Sequence, residues 1–237
     1  MHFRYIVIFV LFVFMFACAS TKSSDKVQKA TAHYKIGYSY YTEGKFQQAF
    51  IEFQKALEIN PKDKEVLNAI GIVYLMQFED FEKAIEYFKR ALKVDKNFSE
   101  ARNNLGIAYE RTGRIDEAIN SFEKALANPM YPNPEKPYNN LGRIYYRAGQ
   151  YDRSIESFTS ALRRVNDYFP SFYGLALCYN AKGHYGDAAT ALMRAIELDY
   201  RYKGDRKKAL EAFENRRLTA RGAELNDLMD FIEILRY

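Results

Sequence analysis

Tryptophan is absent from this 237-residue chain, cysteine occurs twice, histidine three times and proline six times. Each scarcity closes off a class of protein. If Cys18 is modified, Cys178 has no internal partner, so no disulfide can staple the fold even in an oxidising compartment. His2, His33 and His184 have no second His, Cys or acidic residue at metal-ligand spacing. No phosphate-cradling glycine loop and no G-x-S-x-G elbow is present, and the acidic residues are scattered with no pair singled out. These gaps predict a protein that is not an enzyme and needs no cofactor or metal. Beyond residue 18 no apolar run approaches the roughly 20 residues that cross a bilayer. Thirty-five Lys and Arg against 30 Asp and Glu leave a formal charge of +5, too small for a nucleic-acid footprint.

What is present begins at the N-terminus. Arg4 precedes the unbroken apolar run Tyr5 to Ala17, and Cys18 follows. That run is too short to span a membrane but suits the apolar core of an export signal. Ala17 followed by Cys18 resembles the end of a bacterial lipobox. The resemblance implies removal of residues 1–17, acylation of Cys18 and a lipidated linker over 18–29. Ala19 stands where an inner-membrane retention signal would have Asp, so the expected location is the periplasmic side of the outer membrane, held by lipid. More than one acyl chain makes such an anchor stable.

The rest of the chain repeats at a period of about 34. Tyr40, Tyr74, Tyr109, Tyr145 and Tyr179 recur, each three residues after a small residue: Gly37, Gly71, Gly106, Gly142 and Ala176. A turn follows, with glycine at 44, 113, 149 and 183, and then large residues at Phe53, Phe88, Phe122, Phe158 and Leu192. Small residues at helical offsets let two helices approach, while the large ones fill the space between them. Each unit is thus a helical hairpin with an apolar face that only a neighbour can cover. The pattern resembles the tetratricopeptide repeat. It predicts an all-α solenoid of five hairpins over 30–63, 64–98, 99–134, 135–168 and 169–200.

Two departures stand out. The second repeat has one extra residue near Phe78, Glu79 and Asp80, and the third-to-fourth junction has two, in a stretch where Pro129, Pro132 and Pro134 forbid helix. The wording Asn128-Pro129-Met130-Tyr131-Pro132, followed by Asn139-Asn140-Leu141-Gly142, resembles the TPR lipoproteins of type IV pilus biogenesis, the PilF/PilW/Tgl pilotins. That family implies a factor that helps the pilus secretin insert and oligomerise in the outer membrane. An adaptor recruiting peptidoglycan enzymes or other envelope proteins is the alternative. The family has six repeats where five are clear here, which leaves 201–237 as either a degenerate sixth unit or a cap.

In that segment Lys207–Phe213 predicts a short helix, and Leu225, Leu228, Met229, Ile232 and Leu235 share one face of a second, which either caps the solenoid or binds a partner. Eight Lys or Arg over 201–221 form a basic cluster, read as solvated surface or as a contact for anions.

In stacked hairpins of this kind the first helix of each repeat lines the concave side, with positions five, nine and twelve facing inward. Those positions are Tyr34, Tyr38 and Tyr41, then Asn68, Ile72 and Leu75, then Asn103, Ile107 and Glu110. The fourth and fifth repeats add Asn139, Arg143, Tyr146, Tyr173, Leu177 and Asn180. The N-terminal end of this face is rich in rigid aromatics, which anchor bound segments. The amides are expected to hold a partner's main chain. Paired Lys and Arg are too few for a carboxylate clamp, which speaks against a free C-terminus as ligand. The expected partner is a protein, a secretin subunit or segment of it, with no nucleic acid and no small-molecule substrate.

Overall fold

A computed structural model of the protein describes residues 25–236. The expected signal peptide (1–17), the lipidation site Cys18 and the linker up to residue 24 lie outside the described residues. Among the described residues there are twelve α-helices and no strand. They are α1 (residues 25–42), α2 (Phe46–Ile59), α3 (Lys64–Val73), α4 (Phe81–Val94), α5 (Ser99–Arg111) and α6 (Ile115–Leu126). Then come α7 (Glu135–Arg147), α8 (Tyr151–Arg164), α9 (Phe169–Ala181), α10 (Tyr185–Leu198), α11 (Arg206–Arg217) and α12 (Gly222–Arg236). Two compact units divide between Thr112 and Gly113. The first holds α1 to α5, the second α6 to α12.

Within each unit the hairpins close on a small residue facing a large one. A Cβ placed on Gly37 would meet the Phe53 ring at 2.7 Å, one on Gly71 the Phe88 ring at 2.5 Å, and one on Gly142 the Phe158 ring at 2.6 Å. Phe53, Phe88 and Phe158 are fully buried, so each ring occupies the space its glycine leaves open. Apolar residues at spacings of three and four supply the rest of each buried face, as Ala84, Ile85, Phe88 and Ala91 do in α4, where the Asp80 side chain caps the helix by accepting from Lys83 N at 3.1 Å.

The extra residue of the second repeat is absorbed by a π-helical turn, Tyr74–Phe78, continuing from α3. A ring cluster holds it. Phe50 meets Tyr74 at 5.4 Å and Phe78 at 5.3 Å, both edge-on, and Tyr74 stacks on Tyr87 at 5.4 Å. Glu79 closes this turn at φ 51, the left-handed conformation that Gly113 adopts at φ 75 after α5. The proline-rich junction carries no helix between Leu126 and Glu135. Tyr131 turns into the core there, while Met130 stands 84% exposed.

Two boundaries differ from the sequence reading. Residues 25–29, expected in the linker, are helical, because Asp25-Lys26-Val27-Gln28-Lys29 contains no glycine or proline to stop α1. Beyond residue 200, α11 runs longer than Lys207–Phe213 and pairs with α12 as a sixth hairpin. The buried stripe of α12 is Leu228, Phe231, Ile232, Ile234 and Leu235; Met229, expected on that face, is 52% exposed. The stripe is rotated because α12 packs on α9 and α10 as well as on α11. Asp199 pins the connection into α11. Its carboxylate is fully buried, accepts from Arg201 Nε at 2.9 Å and Nη2 at 2.5 Å, and takes the Tyr173 hydroxyl at 3.1 Å.

Candidate functional site: one open face and one covered face

In the first unit, α1 presents Tyr34, Tyr38 and Tyr41 from a continuous helical stripe. Tyr34 packs on Phe53 at 5.8 Å and on Tyr38 at 6.4 Å, so its ring is fixed from below. Tyr38 is 56% exposed and is the most open large ring of the three. Tyr41, Ile72 and Ile107 are half-buried. Burial raises the Tyr34 and Tyr41 hydroxyls above their usual range, so both stay protonated donors.

Three residues expected on this face are turned away from solvent. Leu75 is buried. Asn68 and Asn103 are buried too: Asn104 Nδ2 donates to Asn68 Oδ1 at 3.0 Å, tying α3 to α5. These amides stitch neighbouring repeats, because position five lies at the seam where a buried polar group must find a partner. They offer no row of groups to a main chain.

The edge of this face is acidic. Asp63 caps α3, accepting from Glu65 N at 3.0 Å and Val66 N at 3.2 Å. Glu65 follows and lies near both Tyr34 and Glu100. Burial, together with the charges of Asp63 and Glu100, raises the Glu65 carboxyl above its usual range. Lys64 pulls the other way but is held by Asp95 at 2.6 Å. Neither carboxylate of the Glu65 and Glu100 pair was singled out from sequence, although their equal position in successive repeats was there to be read.

The second unit treats the same repeat positions differently. Here α12 lies along α9 and reaches α7. Phe231 packs edge-on against Tyr173 at 5.4 Å, and Arg147 Nη1 donates to Asp227 Oδ1 at 2.7 Å. Burial, with Asp227 and Asp230 close by, pushes the Tyr146 hydroxyl well above its usual range, and Tyr173 is raised by burial and by Asp199. Tyr146, Tyr173 and Leu177, expected to line an open groove, are therefore packed beneath or beside a segment of the same chain. Asn139 is buried, accepting from Ser171 Oγ at 3.1 Å, while Arg143 is exposed and Asn180 is half-buried. The sequence carries a charge hint of this covering, the acidic Asp227 and Asp230 on an apolar helix and the basic Arg147 on α7, but not the pairing itself.

His33 and Cys178 sit in packing roles. His33 Nδ1 lies 2.6 Å from Glu52 Oε2 across the first hairpin. Cys178 is buried, its Sγ 3.1 Å from Ser154 Oγ, and burial pushes the thiol up to about 11. Among the described residues no three His, Cys, Asp or Glu side chains gather as metal ligands, and no helix is long and apolar enough to cross a membrane.

A family model described as tetratricopeptide repeat matches residues 28–97, and a second of the same description matches 73–133 and 139–199. Comparison with curated proteins returns no match. Among solved structures, the chain is similar to PilW, titled a widely conserved type IV pilus biogenesis factor, at 22% identity over 86% of this chain and 90% of that one, with a TM-score of 0.70. It is similar to Pseudomonas aeruginosa pilF at 22% identity over 86% of this chain and 98% of that one, with a TM-score of 0.66. YrrB, titled a TPR protein with an unusual peptide-binding site, shares 19% identity over 85% of this chain and 97% of that one, with a TM-score of 0.54. These likenesses describe the fold, an array of the hairpins that proteins use as interaction scaffolds. By the span of the repeat match and the small-against-large packing of its hairpins, the chain belongs to the tetratricopeptide-repeat family.

Proposed function

We propose that this protein is a non-catalytic, lipid-anchored assembly factor that binds a subunit of the type IV pilus outer-membrane secretin and promotes its oligomerisation. The observation that carries the reading is the aromatic face of the first unit that no described segment covers, with Tyr38 as its exposed anchor above a fixed Tyr34. Rigid rings of this kind supply contact area at small entropic cost. Fold similarity to PilW and to pilF over most of both chains supports the choice of pathway, as does the Asn128–Pro132 wording at the junction. Acylation at Cys18 would hold the face on the periplasmic side of the outer membrane.

Deleting the gene is the test. Loss of the secretin's high-mass multimers supports the assembly role; intact multimers with disturbed wall turnover would replace it with the peptidoglycan adaptor. Cys18→Ser should release the protein from membranes, and persistent attachment would overturn the lipid anchor.

A further inference from the structure

The first helices of the repeats bring charge of different sign to the two units, carboxylates at position two (Glu65, Glu100) in the first and arginines at positions nine and thirteen (Arg143, Arg147) in the second. In the second, Arg147 lies over Tyr146 at 5.2 Å and donates to Asp227 of α12, an apolar helix bearing four carboxylates against Arg236. That pairing is a worked example, inside one molecule, of what such a face accepts. In the first unit Tyr34, Tyr38 and Ile72 are bordered instead by Glu65 and Glu100, and among the described residues no helix covers Tyr38.

We propose that the open face of the first unit binds a basic amphipathic helix, its apolar side on Tyr34, Tyr38 and Ile72 and its Lys or Arg beside Glu65 and Glu100. This rests on the protein-binding reading above and supplies the chemistry of the partner. A helix is favoured over an extended strand because Asn68 is bonded to Asn104 and both Asn68 and Asn103 are buried, leaving no ladder for a bare main chain. A cation is favoured because Asp63 and Glu100 set like charges near Glu65, whose neighbour Lys64 is committed to Asp95 at 2.6 Å. An incoming Lys or Arg would relieve that repulsion, and opposite charges across the rim steer encounter.

Purified full-length protein would be titrated with three labelled 15-residue helices followed by fluorescence anisotropy: a Leu/Phe face with Lys opposite, the same face with Glu opposite, and the Lys composition in scrambled order. The Lys helix should bind at least tenfold tighter than either other peptide, and added salt should weaken it. Glu65→Lys with Glu100→Lys should cost tenfold or more and favour the Glu helix, whereas Arg147→Glu should leave Lys-helix binding unchanged. Glu65→Gln, a near-isosteric change at an exposed position, tests the same point if the double variant fails to fold. Equal binding of Lys and Glu helices, or Lys-helix binding indifferent to Glu65→Gln, overturns the proposal. Should the Lys helix fail while secretin multimers still depend on the protein, the partner chemistry alone is wrong; should multimers be independent of a protein that binds the Lys helix, the pilus role alone is wrong.

Discussion

Adding one methyl group at Gly71 is the sharpest test of how these hairpins close. In an ordinary helix interior Gly→Ala stabilises by about 0.5–1 kcal/mol, because the unfolded chain loses freedom. At Gly71 the new Cβ would stand 2.5 Å from Phe88 Cε1, 2.8 Å from Cδ1 and 3.0 Å from Cζ, against a ring with no exposed surface to swing into. Forcing a methyl into such packing costs about 1–3 kcal/mol, so Gly71→Ala should come out destabilised by about 1–2 kcal/mol despite its better propensity. Phe88→Leu removes the obstructing ring edge. In the double variant the two changes should compensate, with a coupling of at least about 1 kcal/mol by double-mutant cycle. Gly113→Ala is the control: nothing lies within 4 Å of its added Cβ, so its loss comes from φ 75 alone, about 1–2 kcal/mol, and Phe88→Leu should not rescue it. Urea unfolding of the full chain followed by circular dichroism reads all four. A Gly71→Ala protein as stable as the parent, or strict additivity with Phe88→Leu, would refute the small-against-large account of the fold.

Removing Asp199 should cost about 2–3 kcal/mol, less than a fully enclosed ion pair because Arg201 is 45% exposed. Burial pushes Asp199 up, but the Arg201 and Tyr173 hydrogen bonds outweigh it and hold the carboxyl below its usual value. Its contribution is therefore complete above about pH 4 and lost as pH falls through the lowered value, so Asp199→Asn should flatten the acid limb of stability; an unchanged limb would be the contrary result. Cys178, pushed up to about 11, should resist alkylation at pH 8 in the native protein and react in urea, as peptide mass mapping would show; comparable rates would contradict its burial. Phe231→Ala should cost about 3–5 kcal/mol and uncover Tyr173, while Asp227→Ala should cost about 1 kcal/mol or less, since its partner Arg147 is 43% exposed. Equal shifts in thermal melting would mean that charge, not apolar packing, holds α12.

The hairpins were legible because Gly37, Gly71 and Gly142 recur in register with Phe53, Phe88 and Phe158, and a period is visible without any three-dimensional knowledge. Tyr38 could be placed by the same register, since nothing but its own helix decides its direction. Asn68 and Asn103 could not, because whether position five reaches solvent depends on how closely the next helix approaches. The extra residue near Glu79 was countable, yet its accommodation as a π turn depends on Phe50, Tyr74 and Phe78 meeting in space. The covering of Tyr146 by α12 joins residues 80 positions apart, Arg147 and Asp227, and periodicity carries no information about such a pairing.

Because α12 is covalently joined to the surface it occupies, it competes there at an effective concentration in the millimolar range. An outside helix of equal intrinsic strength, present at micromolar levels, would win that surface only about one time in a thousand. The second unit is thereby closed to weak and abundant clients, and the chain sorts its visitors without spending any residue on rejecting them.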